Sequence, residues 1–335
     1  MISVLVIYMG GTLGMQADAQ GHLVPQPLGN RFWKALPKDL MTSLDIHLHE
    51  YSQPIDSASL HPEAWFSLAH LIREYASQYQ AFVVIQGTDT LAYTGSALAF
   101  LLQGLGKPVI VTGSQQPLET RGTDALANLT HALRWAAHNQ SMCEVGLAFG
   151  GKLLRACAST KVSARQHDAF ASPNVPLLGE VLAGERYVFY AERAWRPQTI
   201  LIPACDYQQA QVVRLSVFPG MRATWLQKAL EDVDAGVLEL YGSGNGPCDA
   251  EILSVLVQAQ QAGKWLLARS QTWYEGLTGC PQYATGKAWQ DAGVLMPAQM
   301  TVEAALTKLH WVLAYYPTDR EKQAQALASV LCGEI

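Results

Sequence analysis

Residues 81–93 read AFVVIQGTDTLAY, and they give the clearest indication of the fold. The first five residues are apolar and rich in β-branched side chains, which is typical of a strand buried on both faces of a parallel sheet. A short polar turn follows at residues 86–90, and residues 93–105 then read as a helix. A buried strand that passes through a short turn into a helix is the repeating unit of an α/β fold.

The same alternation extends in both directions along the chain. The further strand-like runs are residues 4–7, 109–111, 145–148, 212–218, 237–241 and 265–268, and the helix-like runs are residues 62–72, 124–138, 224–230, 249–262 and 301–315. We therefore predict an α/β fold, with a doubly wound, mostly parallel sheet in a larger N-terminal domain and a second, smaller α/β domain.

The chain is long enough for two domains, since it has 335 residues and domains average about 150. Residues 177–203 separate the two series of strands and helices and contain several Pro and Gly residues. We predict an N-terminal catalytic domain at residues 1–190, a linker at residues 191–210 and a C-terminal domain at residues 211–335.

Charge and composition exclude several classes of protein. The chain has 28 acidic and 23 basic residues, a net charge of −5, and no long run of either sign, so we expect neither a nucleic-acid partner nor a membrane partner. No apolar run approaches the ~20 residues that span a bilayer. The six cysteines include no C-x-x-C pair, which argues against a zinc site or a disulfide framework and favours a cytoplasmic location.

A glycine pair follows the first predicted strand, in the segment Tyr8-Met9-Gly10-Gly11-Thr12-Leu13-Gly14. The two glycines permit positive φ angles and a close approach of another group, and they present a hydroxyl directly afterwards. On this segment alone, a plain tight turn is the more ordinary explanation. A dinucleotide-binding loop fits poorly, because the G-x-G-x-x-G spacing is absent.

The polar turn at residues 86–90 carries two hydroxyls on either side of a carboxylate: Thr88, Asp89 and Thr90. Helix capping explains one such residue, but three at one strand end suggest an additional role. Because functional sites of open α/β sheets form at the carboxyl ends of strands, Thr12 and Thr88 would share a cleft if their strands are neighbours.

A hydroxyl needs a base to become a good nucleophile. The chain has no G-x-S-x-G segment, and its histidines show no metal-ligand spacing, so we predict no metal site. A lysine can serve as the base when burial or a cationic neighbour lowers its pKa toward neutrality. Lys161 lies in a stretch of small and apolar residues and is the candidate, although a solvated surface lysine is the alternative.

Together these segments resemble the bacterial L-asparaginases, in particular their cytosolic type I branch. The matching segments are Gly10-Gly11-Thr12-Leu13-Gly14-Met15, Ile55-Asp56-Ser57, Gln86-Gly87-Thr88-Asp89-Thr90-Leu91-Ala92-Tyr93, residues 107–115, Lys161, residues 170–174, Tyr241-Gly242-Ser243-Gly244-Asn245, Tyr283-Ala284-Thr285-Gly286 and residues 300–304. They occur in the family's order over nearly the whole chain and are weakest at about residues 180–235.

The resemblance implies hydrolysis of the side-chain amide of L-asparagine without a cofactor or metal. Thr12 would form the acyl-enzyme, and Thr88, Asp89 and Lys161 would supply basicity. The implied substrate-binding residues are Ser57, Asp56, Gly87 and Asp89, with Ser57 at the substrate's α-carboxylate and Asp89 at its α-ammonium group. The resemblance also implies a homodimer or homotetramer.

The sequence departs from the family at Gln86, His22, Glu239-Leu240 and Ser59, where the family often has an acidic residue. Gln86 stands where the family usually has histidine, and His22 is the nearest match to a tyrosine that adjoins the first nucleophile, so His22 is a possible loop partner of Thr12. Some cytosolic members have a regulatory site with an arginine where this chain has Glu239-Leu240.

Three alternatives to an L-asparaginase remain open from the sequence. One is an amidohydrolase that prefers glutamine or a D-amino acid. Another is an amino-acid-binding protein of the same fold that has lost turnover. An ammonia-supplying subunit of a tRNA-dependent amidotransferase is disfavoured, because the chain shows no basic RNA-binding face.

Overall fold

The computed structural model describes residues 1–138, 142–196 and 201–335. Its internal contacts divide the chain into two compact units, Met1–Ala204 and Cys205–Ile335. Residues 197–200 of the predicted linker lie outside the described residues. The predicted domain limits of 190 and 211 therefore stay a prediction.

The first unit alternates strands and helices along most of its length. Its strands are β1 (Ile2–Tyr8), β2 (Gln16–Ala17), β3 (Leu23–Val24), β4 (Leu44–Glu50), β5 (Ala81–Ile85), β6 (Val109–Thr112), β7 (Val145–Phe149), β8 (Lys152–Arg155), β9 (Thr160–Lys161), β10 (Phe170–Ala171), β11 (Gly179–Leu182) and β12 (Arg186–Phe189). Its helices are α1 (Gly29–Ala35), α2 (Lys38–Ser43), α3 (Glu63–Glu74), α4 (Leu91–Leu101) and α5 (Ala125–His138).

The main sheet of this unit is mixed and mostly parallel. Within the described residues it has eight strands in the order β12-β11-β8-β7-β6-β5-β1-β4. The pairs from β4 to β7 are parallel, and the pairs from β7 to β12 are antiparallel. The predicted doubly wound, mostly parallel sheet is thereby confirmed. The chain lays β4 on one side of β1 and β5 on the other, so the strand order reverses at β1.

Strands β1 and β5 are buried on both faces, as the sequence predicted. Val6 and Val83 pack with α1 and α5 residues such as Phe32 and Leu129 in one core cluster. The alternate side chains, such as Ile7, point to the other face and are also fully buried. Because solvent reaches neither face of these strands, their residues are apolar on both faces and do not alternate with polar ones.

The second unit contains a smaller parallel sheet. Its strands β13 (Val212–Ser216), β14 (Ala235–Leu240) and β15 (Trp265–Ser270) pair in that order. Its helices are α6 (Ala223–Ala229), α7 (Ala250–Gln261), α8 (Ala284–Asp291), α9 (Val302–Tyr315) and α10 (Arg320–Ala328). The prediction of a smaller second α/β domain is thus confirmed at the level of fold.

Glu239 on β14 is buried, and its carboxylate accepts hydrogen bonds from three side chains. Its carboxylate accepts hydrogen bonds from Arg269 at 2.5 Å, Ser216 at 2.6 Å and Arg214 at 2.9 Å. Burial alone would raise the pKa of Glu239, but these hydrogen bonds and the Arg214 charge hold it below its usual value. The carboxylate therefore stays ionised and contributes to the packing of this sheet.

Three stretches of the first unit fold differently from the sequence prediction. The edge strand β4 reads LDIHLHE and was not predicted, because an edge strand is half-exposed and carries polar residues. Residues 179–189, within the stretch expected to separate the domains, form the antiparallel pair β11 and β12 of the main sheet. Helix α4 ends at Leu101 rather than at residue 105, since Gly104 and Gly106 take positive φ angles.

Within the described residues, no helix is both long and apolar enough to cross a bilayer.

Candidate active site

Three loops meet at the carboxyl ends of β4, β1 and β5, and Gly10 and Gly11 allow them to meet. Both glycines have positive φ angles, 128° and 90°. A Cβ atom at Gly10 would overlap the backbone of Ile55, in the loop after β4, and one at Gly11 would overlap the backbone of Gly87, in the loop after β5. Only glycine fits this close approach, so the glycine pair does more than make a tight turn.

Thr12 begins the 3₁₀ turn Thr12–Gly14 directly after this contact, and its side chain is partly exposed. The turn rests on Tyr8, since a Cβ atom at Gly14 would overlap the Tyr8 hydroxyl. That hydroxyl donates to the Gln26 carbonyl oxygen at 2.9 Å, and burial raises the pKa of Tyr8 well above its ordinary value. A neutral phenol therefore supports the loop that presents Thr12.

Lys161 lies against Thr88 and Asp89, although it follows them by more than 70 residues in the chain. Its Nζ atom donates to Thr88 Oγ1 at 2.8 Å and to Asp89 Oδ1 at 2.7 Å. Thr88 is buried, the Lys161 side chain is 20% exposed and the Asp89 side chain is 61% exposed. The structure thus brings together the three residues proposed to supply basicity.

The elements around Lys161 hold it in position beside Thr88 and Asp89. Strand β9, which ends at Lys161, pairs with β10, and Phe170 of β10 packs on Phe149 at the end of β7. The preceding turn, Ala156–Ala158, contacts α4 so closely that a Cβ atom at Gly95 would lie 2.8 Å from the Ala156 Cβ atom. Helix α4 begins just after Thr88 and Asp89, and it also contacts the turn before Lys161. This one helix therefore positions all three residues of the cluster Thr88, Asp89 and Lys161.

The immediate surroundings of Lys161 combine a carboxylate with partial exposure to solvent. The sequence predicted burial or a cationic neighbour at this lysine. In the structure Lys161 Nζ lies 2.7 Å from Asp89 Oδ1, and the Lys161 side chain is 20% exposed.

Ser57 lies on the same edge of the sheet, in the 3₁₀ turn Ser57–Ser59 after β4. Its side chain is buried against Gly87, where an added Cβ atom would lie 2.8 Å from the Ser57 Cβ atom. Asp56 is exposed, and its Oδ1 atom accepts a hydrogen bond from the Ala58 N–H at 3.0 Å. Ser57 therefore packs against the loop that carries Thr88 and Asp89, whereas the Asp56 side chain caps the turn that holds Ser57.

His22 is placed away from these groups. It lies at the turn between β2 and β3, its side chain is 80% exposed, and its Nδ1 atom lies 3.8 Å from Asp18 Oδ2. The structure does not bring this imidazole to Thr12.

Sequence reasoning missed two residues that organise the neighbouring loops. Asp124 accepts hydrogen bonds from the Gln115 N–H at 2.9 Å and from Asn128 Nδ2 at 3.0 Å. Gln115 Nε2 donates to the carbonyl oxygens of Ser163 and Gln166, just beyond Lys161. The spacing of Asp124 and Asn128 at the start of a helix was the available signal.

No group of three or more His, Cys, Asp or Glu side chains within residues 1–138, 142–196 and 201–335 is arranged to hold a metal ion. The chemistry that the site offers is that of hydroxyl groups, a carboxylate and an amine.

Comparison with known proteins places this geometry in a family. The N-terminal asparaginase domain matches residues 3–195, and the glutaminase/asparaginase C-terminal domain matches residues 211–327. The chain is 38% identical to L-asparaginase 1 of Escherichia coli K12, over 99% of this chain and 98% of that protein. It is 34% identical to the 60 kDa lysophospholipase of Mus musculus, over 99% of this chain and 62% of that protein.

A solved structure shares the architecture. The crystal structure of L-asparaginase I from Vibrio cholerae matches with a TM-score of 0.87 and 32% sequence identity, covering 100% of this chain and 99% of that one.

Proposed function

This chain belongs to the asparaginase family, and from that premise we propose that it hydrolyses the side-chain amide of L-asparagine to L-aspartate and ammonia. The observation that supports the proposal most directly is the contact of Lys161 Nζ with Thr88 Oγ1 and Asp89 Oδ1, at 2.8 and 2.7 Å. A second hydroxyl, that of Thr12, follows the adjacent strand. Hydroxyl nucleophiles with an adjacent base are what acyl transfer from an amide requires.

In the first half-reaction Thr12 Oγ1 attacks the side-chain amide carbon of asparagine. A C–O ester bond forms, the C–N bond breaks, and the threonine proton passes to the departing nitrogen, which leaves as ammonia. Backbone N–H groups near Thr88 would stabilise the negative oxygen of the tetrahedral intermediate, a contribution of about 3–4 kcal/mol for each donor.

In the second half-reaction water attacks the ester carbon, the ester bond breaks, and Thr12 regains its proton as aspartate leaves. Thr88, Asp89 and Lys161 supply the basicity for these transfers. Thr88 Oγ1 would take the proton of the attacking water while it passes its own proton across the 2.8 Å contact to the uncharged amine of Lys161, which Asp89 would orient. The amine would give up that proton again when the ester bond breaks, so that Thr12 recovers its hydroxyl and the cluster returns to its starting state.

Two side chains would select an α-amino acid. Asp89 uses Oδ1 for Lys161, and the side chain is 61% exposed, which leaves Oδ2 for the substrate's α-ammonium group. Ser57, beside the backbone of Gly87, would hold the α-carboxylate, and Asp56 would act by capping the Ser57 turn.

Ammonia release from L-asparagine tests the proposal. Thr12→Ala and Thr88→Ala should each lose turnover and keep the circular dichroism and melting temperature of the wild type. Thr42→Ala is the matched control, because Thr42 is an exposed threonine of the same unit that bonds only to its own helix. Wild-type rates in Thr12→Ala would refute its role as nucleophile.

An amino-acid-binding protein without turnover is the second candidate, and the outward placement of His22 is the observation that favours it. Calorimetric binding of asparagine by a protein that releases no ammonia would establish this candidate. Faster ammonia release from L-glutamine, or from the D-forms, would instead identify an amidohydrolase of different preference.

We further propose that the chain works in the cytoplasm as a homodimer or homotetramer. Its six cysteines form no disulfide within the part of the chain that the structure describes, as suits a reducing compartment. Several large apolar side chains of the second unit are exposed, and association would cover such groups; they are Phe218, Trp225, Trp273, Tyr274 and Tyr283. Light scattering that gives a mass of 36.5 kDa would contradict the oligomer.

A further inference from the structure

Thr90 occupies the N-cap position of α4, and its side chain makes no capping hydrogen bond. A threonine at this position ordinarily accepts a hydrogen bond from an N–H group of the first helical turn. Here its hydroxyl instead donates to the Ser57 carbonyl oxygen at 2.9 Å and accepts from Gln86 Nε2 at 3.0 Å. The Thr90 hydroxyl therefore links Gln86 to the Ser57 turn instead of capping helix α4.

The directions of these two hydrogen bonds follow from the proton count. A hydroxyl has one proton, and a carbonyl oxygen accepts only, so the Thr90 proton lies toward Ser57. Gln86 must then donate to Thr90, which fixes the orientation of its amide. Gln86 Oε1 remains as a buried acceptor with no partner among the described residues. Gln86 is 1% exposed, so this orientation is held at the cost of an unpaired acceptor.

The chain of hydrogen bonds ends on the turn that carries Ser57. The Ser57 side chain already lies against Gly87, one residue after Gln86. The loop at residues 86–90 therefore contacts the Ser57 turn at two points: Gly87 packs against the Ser57 side chain, and Thr90 donates a hydrogen bond to the Ser57 carbonyl oxygen.

We propose that Gln86 and Thr90 are positioning residues, which fix Ser57 relative to the cluster of Thr88, Asp89 and Lys161 through the chain Gln86 Nε2 to Thr90 Oγ1 to Ser57 O. This inference rests on the proposed function, because Ser57 is assigned there to the substrate's α-carboxylate. It predicts that the loss of the Thr90 hydroxyl weakens substrate binding, while the groups that perform the chemistry stay in place.

Steady-state kinetics of Thr90→Val test the proposal. Valine keeps the shape of threonine and loses both hydrogen bonds, so we expect the KM for L-asparagine to rise about tenfold with kcat within about twofold. Thr90→Ser should restore the KM, because serine keeps the hydroxyl. Gln86→Met removes only the first link and should raise the KM less, which provides a second variant if Thr90→Val does not fold.

Thr94→Val is the matched control. Thr94 is fully buried on the same helix, one turn further along, and its hydroxyl has no hydrogen-bond partner among the described residues. The same substitution there should leave the KM unchanged. An analogue of asparagine with its α-carboxylate converted to an amide should show a smaller effect of Thr90→Val, since its contact with Ser57 is already impaired.

Hydrogen–deuterium exchange of residues 55–60 separates this inference from the proposed function. Exchange there should be faster in Thr90→Val than in the wild type or Thr94→Val, whether or not the protein releases ammonia. Unchanged exchange would overturn the role of Thr90 in holding the turn. Faster exchange with an unchanged KM would overturn the link to substrate binding. Absence of ammonia release in the wild type would overturn the proposed function and leave the exchange result to decide on the hydrogen-bond chain.

Discussion

Lys161 contacts a hydroxyl and a carboxylate with the same nitrogen atom, and this dual contact leads to a specific prediction. Lys161→Met should lower kcat for asparagine by about 10²–10⁴-fold, the usual contribution of one general acid–base group. Lys161→Arg should fail similarly, because a guanidinium keeps its charge but cannot give up a proton. Full activity in Lys161→Arg, measured by ammonia release, would show that only the positive charge is needed.

His310 gives a prediction about stability that is independent of the active site. It is buried on α9, and burial lowers its pKa from 6.5 to about 4. The folded state therefore favours the neutral imidazole, and this contribution is complete above pH 6.5 and is lost as the pH falls toward 4. The loss amounts to about 3 kcal/mol at most.

Urea unfolding at a series of pH values checks this expectation. The free energy of unfolding of the wild type should fall more steeply between pH 6.5 and pH 4 than that of His310→Gln. Parallel curves for the two proteins would show that this histidine does not titrate with folding.

Single residues of the site were predictable where they stand directly after a buried strand. Thr12 and Thr88 could be expected in one cleft on the condition that β1 and β5 are neighbours, and the two strands do pair. Thr90 and Gln115 could not be assigned partners, because they bond to backbone carbonyl groups that belong to distant segments. Any residue offers a carbonyl group, so the sequence carries no trace of such a contact.

The loop after β1 depends on the close approach of Gly11 to Gly87, and glycine substitutions should reveal it. Gly11→Ala adds both an unfavourable φ angle and an overlap with backbone, so we expect destabilisation of more than about 4 kcal/mol or no folded protein. Gly21→Ala, at a similar φ with open space around it, should cost only about 1–2 kcal/mol. Similar melting temperatures for the two variants would contradict the role of the overlap.

Burial explains why several central strands were predicted and why two edge strands were missed. Strands with both faces covered were located within two residues of their observed bounds, as for β7 and β14. The edge strands β4 and β12 were missed, because exposure admits His, Asp and Arg into a strand and removes the apolar run.

The C-terminal end of the chain is tied to α9 by a fully buried ion pair, Lys308 with Glu334, at 2.8 Å. Burial alone would raise the pKa of Glu334, but the Lys308 charge and its hydrogen bond hold it below the usual value. Glu334→Gln leaves an uncompensated charge in the interior and should destabilise the protein by about 3–5 kcal/mol. Glu321→Gln, an exposed substitution on α10, should have no measurable effect on the melting temperature.

Thr88 and Lys161, which contact each other in the folded protein, are added to the growing chain at different times. Thr88 precedes Lys161 by 73 residues, so a ribosome that adds about 5–20 residues each second needs on the order of 4–15 s to supply the amine after the hydroxyl. A nascent chain that has emerged only through α5 carries Thr12, the Ser57 turn and Asp89 but lacks the amine that is proposed to activate the hydroxyls. Synthesis thus delivers Lys161 after Thr12, Ser57, Thr88 and Asp89, so the proposed site is incomplete until residue 161 has been added.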